Sequence, residues 1–248
     1  MSKSPPAGSL DEWKMGLAMP SQDDDSWAQF ASPPCFMHEL DENYSGLRSE
    51  PRPETNHDVA HWRKAERERL IAARLSIPAD LRNRHAATII KRLDAIIGNP
   101  IGYIVSGYWP FRGEPDLRPW IESIHARGGQ FALPVVVERH KPLIFRLWTP
   151  GAPLIRGIWN IPVPDDSAEE VTPDIVVAPV VGFDPCCYRL GYGGGFFDRT
   201  LEVIGPRTKT LGVGYAQQAV STIHAQPHDI PMDAVVTERE TVHPLTTR

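Results

Sequence analysis

The stretch Asp174-Ile-Val-Val-Ala-Pro-Val-Val181, followed after a short connection by Arg189-Leu190-Gly191-Tyr192-Gly193-Gly194-Gly195-Phe196-Phe197-Asp198-Arg199, decides how the chain reads. Its first part is a near-continuous apolar run, the pattern of a strand buried on both faces. Its second part sets four glycines in the five positions 191–195, with Arg189 before them and Asp198 after. Glycine lets the backbone take positive φ and approach a ligand closely, so that successive N–H groups can point at one anion. Behind the glycines, Phe196, Phe197, Leu201 and Ile204 recur at helical spacing. Strand, glycine loop and helix in that order present a helix N-terminus of the kind that favours phosphate. The same density of glycine also suits a purely structural turn. The run is not a Walker A loop, because no Gly-Lys-Ser/Thr follows, and its glycine spacing is not the dinucleotide fingerprint.

Outward from this unit the chain alternates helix and strand. Helical patterns cover 61–76, 80–97 and 116–126, and strand patterns cover 101–105, 131–137, 143–147, 210–213 and 234–236. The alternation predicts a layered α/β domain with an at least partly parallel sheet. Ligands of such sheets sit beyond the carboxyl ends of the strands, where the glycine loop falls. Residues 1–58 are rich in proline, serine and acidic residues and read as a partly irregular extension. Within it, Cys35-Phe-Met-His38 is either an apolar plug or a weak metal-ligand pattern. Residues 59–248 read as one domain.

The bulk composition is that of a soluble globular protein: 248 residues, 41% hydrophobic and 23% charged. A net charge of −5 argues against a nucleic-acid partner. No apolar run approaches the roughly 20 residues of a membrane span. The N-terminus has neither a basic start nor an apolar signal core, so a cytoplasmic location is expected. The three cysteines, Cys35, Cys186 and Cys187, form no disulfide framework. No Cys/His spacing matches a structural zinc site. No Gly-x-Ser-x-Gly elbow supports nucleophilic catalysis.

Four other features can carry chemistry. Arg63, Arg67 and Arg74 share one helical face with Lys64 beside them. This is either a polyphosphate-binding surface or a solvated face paired with Glu66 and Glu68. Glu114 stands among Trp109, Pro110 and Phe111, which suits a planar ligand with N–H donors, although Glu114 or Asp116 would equally cap the next helix. Asp233, before a short strand, is a magnesium ligand or a strand-edge residue. Trp159 and Tyr215 are candidate pocket linings. A carboxylate such as Asp198 beside phosphate needs a cation between them, whereas Arg189 binds phosphate oxygens directly.

Taken together, Val181-Gly-Phe-Asp184, the run 189–199, the basic helix 63–74, Trp159-Asn-Ile-Pro-Val-Pro164 and His228-Asp229-Ile-Pro-Met-Asp233-Ala-Val-Val resemble the 5-formyltetrahydrofolate cyclo-ligase family over about residues 60–240. The resemblance implies a three-layer α/β/α fold with a mixed, partly parallel central sheet. It implies ATP- and magnesium-dependent closure of 5-formyltetrahydrofolate to 5,10-methenyltetrahydrofolate through a phosphorylated formyl group, with release of ADP and phosphate by a monomer. Carried over by motif, the ATP contacts are Arg63, Lys64, Arg67, Arg189, Leu190, Gly191, Tyr192, Gly193, Gly194, Gly195, Phe196 and Phe197. Arg63 stands where the family usually has lysine, which makes Lys64 its rival. The folate contacts are Val105, Glu114, Trp159, Tyr192, Gly193, Gly194, Gly195 and Phe196. Asp198 and Asp233 match magnesium ligands. No residue is assigned as a catalytic acid or base; Arg189 and Asp198 serve positioning and charge stabilisation. A non-catalytic folate or nucleotide binder on the same fold, or a ligase for another N-formyl or pterin-like compound, would carry the same motifs.

Overall fold

A computed structural model of the protein describes residues 55–245. The expected extension, with its Cys35-to-His38 segment, lies outside these residues except for 55–58. Helix α1, Asn56–Leu75, opens ahead of the expected start at 61 because Thr55 caps it. The Thr55 hydroxyl accepts the Asp58 N–H at 3.2 Å and the Asp58 carboxylate accepts the Thr55 N–H at 3.0 Å, a reciprocal box that satisfies two otherwise orphaned donors. Helix α2, Ala79–Ile97, buries Ala86, Ile89 and Leu93 along one stripe. The chain continues through β1 (Ile104–Ser106), α3 (Arg118–Ala126), β2 (Gln130–Val135), β3 (Ile144–Leu147), β4 (Ile155–Arg156), β5 (Pro162–Val163) and β6 (Glu170–Val171). Then come β7 (Ile175–Pro179), β8 (Gly182–Phe183), β9 (Arg189–Leu190), α4 (Phe196–Ile204), β10 (Lys209–Val213), β11 (Ala234–Val236) and β12 (Thr241–Val242).

Eight strands form one sheet in the order β12-β11-β10-β7-β1-β2-β3-β6. The five central strands, from β11 to β2, pair in parallel; β12 at one edge and β3 and β6 at the other are antiparallel. Strand β7 is the hinge of the reading. Its Ile175 and Val177 join Ile89, Leu93, Trp120 and Ile124 of α2 and α3, while Val176 and Ala178 join Leu201 and Phe197 of α4. Alternate side chains leave a strand on opposite faces, so the apolar run is continuous because both faces are covered. The three-layer α/β/α architecture is therefore present. Strand β1 starts later than its apolar pattern suggests, since residues 100–103 make a turn with Gly102 at φ 80° and the Tyr103 N–H on the Pro100 carbonyl. Among the described residues, no helix is long and apolar enough to cross a membrane.

Candidate active site

The site grows from the carboxyl ends of the parallel strands. Beyond β7, the Val180 N–H still bonds the Val213 carbonyl of β10 at 3.0 Å, and β8 and β9 then form a hairpin. Asp184 closes its turn, with one carboxylate oxygen accepting the N–H groups of Cys186 (3.0 Å) and Tyr188 (3.1 Å). The hairpin delivers a buried Arg189 and Leu190 into the glycine loop. Gly193 has φ 94° and Gly195, the residue ahead of α4, has φ 61°. Both angles lie in the left-handed region that side chains disfavour, and Gly195 has no side chain with which to fill the helix entrance.

Arg189 pairs with Asp198 in the first turn of α4 at 2.9 Å, and its guanidinium lies 5.0 Å over the Phe197 ring. Burial depresses the pKa of Arg189, while the charges of Asp198 and Asp229 work against that loss. Arg189 Nε and Asp198 Oδ1 are buried and have no hydrogen-bond partner. Buried polar atoms are normally paired, and these two lie together beside the glycine loop. Arg199 donates to the Gly194 carbonyl and stacks 5.4 Å from Phe196, bracing the loop from its helix side.

Helix α1 lays its arginines across three separate segments. Arg67 Nε donates to the Gly191 carbonyl at 2.8 Å, and its guanidinium lies over Gly193, where a Cβ would come 3.5 Å from Cζ. Arg74, fully buried, donates to the Arg112 carbonyl at 2.8 Å and to the Tyr192 hydroxyl. Arg63, expected at the nucleotide, is buried at the loop before β11 instead. Its Nε donates to the Ile223 carbonyl and its Nη2 to the His224 carbonyl, both at 2.9 Å, and it forms an ion pair with Asp229. Lys64 beside it is half-buried.

The connection from β1 to α3 supplies the opposite wall. Arg112 (φ 48°) and Gly113 (φ 75°) turn the chain so that Glu114 points inward. Its two oxygens accept from the Tyr192 hydroxyl (2.7 Å) and the Phe111 N–H (2.9 Å), and Arg74 stands 3.9 Å away. Burial raises the Glu114 pKa, opposed by Arg74, Tyr192 and the Phe111 N–H. Trp159 reaches the loop as well, with its ring edge-on to Phe196 at 5.7 Å, and it remains 43% exposed, enough to meet a ligand.

Two further expected residues stand elsewhere. Val105 is in the core against α2 and α3, with no exposed surface. The strand period puts its neighbour Ser106 on the other face, where the Ser106 hydroxyl is buried without a partner. Asp233 is not brought to Asp198. It precedes β11, and its carboxylate accepts the N–H (2.6 Å) and hydroxyl (2.9 Å) of Thr210 at the start of β10, the end of the parallel strands opposite the glycine loop. Sequence reasoning gave no role to Arg199 or Asp229, although both lie inside the quoted motifs. Nothing in their spacing marks their partners.

These features define an α/β protein whose glycine loop, basic helix and buried carboxylate converge at one end of a parallel sheet. The model of the 5-formyltetrahydrofolate cyclo-ligase family matches residues 59–238, and the chain belongs to that family. It is 35% identical to the 5-formyltetrahydrofolate cyclo-ligase of Escherichia coli (strain K12) over 144 residues, 55% of this chain and 79% of that one. It is 27% identical over 177 residues to the Mycolicibacterium smegmatis protein of the same name, 68% of this chain and 90% of that one. The solved structure of Aquifex aeolicus 5,10-methenyltetrahydrofolate synthetase superposes with a TM-score of 0.64 at 27% identity, covering 75% of this chain and 94% of that one.

Proposed function

We propose that the protein uses ATP to close 5-formyltetrahydrofolate to 5,10-methenyltetrahydrofolate. The observation that carries this reading is the single hydroxyl of Tyr192, which joins the phosphate-type loop to Glu114. Two binding walls in direct contact suit a reaction in which a phosphoryl group passes between two bound molecules. The formyl oxygen takes the γ-phosphoryl group and ADP leaves. The N10 amine attacks the formyl carbon, the C–O bond breaks, phosphate departs with that oxygen, and N10 gives up its proton. Every reacting atom belongs to a ligand, so the protein's share is alignment and charge stabilisation.

Arg67 and Arg189, with the N–H groups of 191–197, suit the triphosphate. Glu114 suits N–H donors of a reduced pterin, and Trp159 with Phe196 suits the flat remainder of the folate. Among the described residues no group of three or more His, Cys, Asp or Glu side chains could hold a metal. Magnesium takes one or two carboxylates and completes its shell with phosphate oxygens and water. Asp198, with Oδ1 lacking a hydrogen-bond partner, supplies such a carboxylate; the ion, when bound with the triphosphate, shields phosphate charge. Asp233 is not part of this reading. The test is formation of the methenyl chromophore from purified protein, 5-formyltetrahydrofolate, ATP and magnesium. Product that needs all four supports the proposal; none, beside an active control enzyme, rejects it.

A further inference from the structure

Tyr192 is the one side chain larger than hydrogen between Gly191 and Gly195. Its hydroxyl sits between two buried charges, donating to Glu114 Oε1 at 2.7 Å and accepting from Arg74 Nη2. The Arg74 and Glu114 side chains are 0% and 2% exposed, so this hydroxyl's bonds are shielded from bulk water. Arg74 also lies 5.7 Å from the Tyr192 ring centre, and the Phe111 ring meets the same ring at 5.9 Å. The other oxygen of Glu114 is held by the Phe111 N–H, which belongs to its own turn. Glu114 is therefore oriented by one donor from its own segment and one from the glycine loop. A rearrangement of the loop that displaces Tyr192 would change a hydrogen bond of Glu114, and a ligand that draws on Glu114 would compete for the Tyr192 hydroxyl.

We infer that Tyr192 is a positioning residue that couples occupancy of the glycine loop to the orientation of Glu114, so that nucleotide and reduced folate strengthen each other's binding. The inference rests on the proposed assignment of the loop to ATP and of Glu114 to folate. Coupling between sites is reciprocal, so a nucleotide that steadies the loop tightens folate by the same factor that folate tightens the nucleotide. The groups facing Glu114 are Arg74 from α1, Tyr108 from its own connection, Tyr192 from the loop and Tyr215 beyond β10. Of these only Tyr192 both bonds Glu114 and belongs to the glycine loop.

The experiment is calorimetric titration of the full chain with 5-formyltetrahydrofolate, with and without magnesium and a non-hydrolysable ATP analogue. In the unaltered protein the analogue should tighten folate binding by about tenfold, within the usual range of coupling between sites. In Tyr192→Phe, which keeps the ring packing and loses the hydroxyl, the ratio of folate affinities with and without the analogue should collapse to roughly one, whatever each affinity alone becomes. Glu114→Gln, which keeps an acceptor for the Tyr192 hydroxyl but removes the charge, should also weaken the coupling, and Tyr192→Phe added to it should take away less than it does alone, because both changes act on the same bond. A pH series supplies a readout that packing alone would not move. The Tyr192 hydroxyl favours the ionised Glu114, so its loss should shift the acid limb of folate affinity to higher pH. Undiminished coupling in Tyr192→Phe, or additive losses in the double variant, would overturn the inference. Unaltered protein that binds both ligands without coupling overturns the inference alone; unaltered protein that binds neither overturns the proposed function with it.

Discussion

Asp198 is a carboxylate in the first turn of α4, where the helix dipole favours it, but beside a bound phosphate it would need positive charge between them. One oxygen has Arg189 at 2.9 Å and the other is buried with no hydrogen-bond partner. The pair alone would stabilise the loop; under the proposed function the second oxygen is the one offered to a cation. Asp198→Asn keeps an acceptor for Arg189 and removes the charge. Turnover should fall by about a hundredfold, the scale for losing one preorganised electrostatic contact, and the magnesium concentration for half-maximal rate should rise. An unchanged magnesium dependence with a lowered melting temperature would reduce Asp198 to a partner of Arg189. At this scale the sequence was a good guide where backbone geometry demands glycine, as at Gly193 and Gly195 with φ 94° and 61°. It was a poor guide where one residue decides the facing. Val105 and Ser106 are neighbours, yet they occupy opposite faces of the sheet. Asp233 reads as a companion of Asp198, whereas its Oδ2 accepts from Thr210 at the start of β10, at the other end of the sheet.

Helix α1 gathers the site. Arg63, Arg67 and Arg74 face inward together, but each meets a different segment: the 223–229 loop, the glycine loop and the Glu114 turn. The basic face is thus neither a solvated surface nor a simple polyphosphate comb. Arg63 shows the difference. Burial alone would raise the pKa of Asp229; the Arg63 guanidinium and the Gln226 N–H outweigh it and hold this carboxyl below its usual range. A depressed carboxyl contributes stability above its unfolded value, about pH 4, and loses that contribution as pH falls through the folded value. Urea unfolding should therefore show Arg63→Ala less stable by about 3 kcal/mol at pH 7, the lower end for breaking a buried pair. The difference from the unaltered protein should shrink below about pH 4. A constant difference across that window would exclude the ion pair as its source. The helices were legible because their apolar periods are long enough to read, and the parallel strands because each falls in an apolar stretch between them. Strands β4, β5, β6, β8, β9 and β12, two residues each, carry no period at all. The Arg63–Asp229 pair spans 166 positions, which no local pattern encodes.

For the molecule as a whole, the parallel sheet sets where chemistry can occur. Covered on both faces by α2 and α3 and by α4, it offers its strand ends, and only the carboxyl end carries the glycine loop, α1 and Glu114. That geometry suits one bound molecule against the loop and another against Glu114, with no side chain needed as nucleophile. Cys187 has the wrong chemistry for one: buried in the core beside Met232, its thiol pKa is pushed up to about 11. The central claim is that the formyl oxygen itself receives phosphate. It is tested most directly with 5-formyltetrahydrofolate carrying oxygen-18 in the formyl group, turned over with ATP and magnesium, followed by mass analysis of the released phosphate. The account predicts one labelled oxygen in each phosphate formed. Label released to water, with unlabelled phosphate, would contradict it.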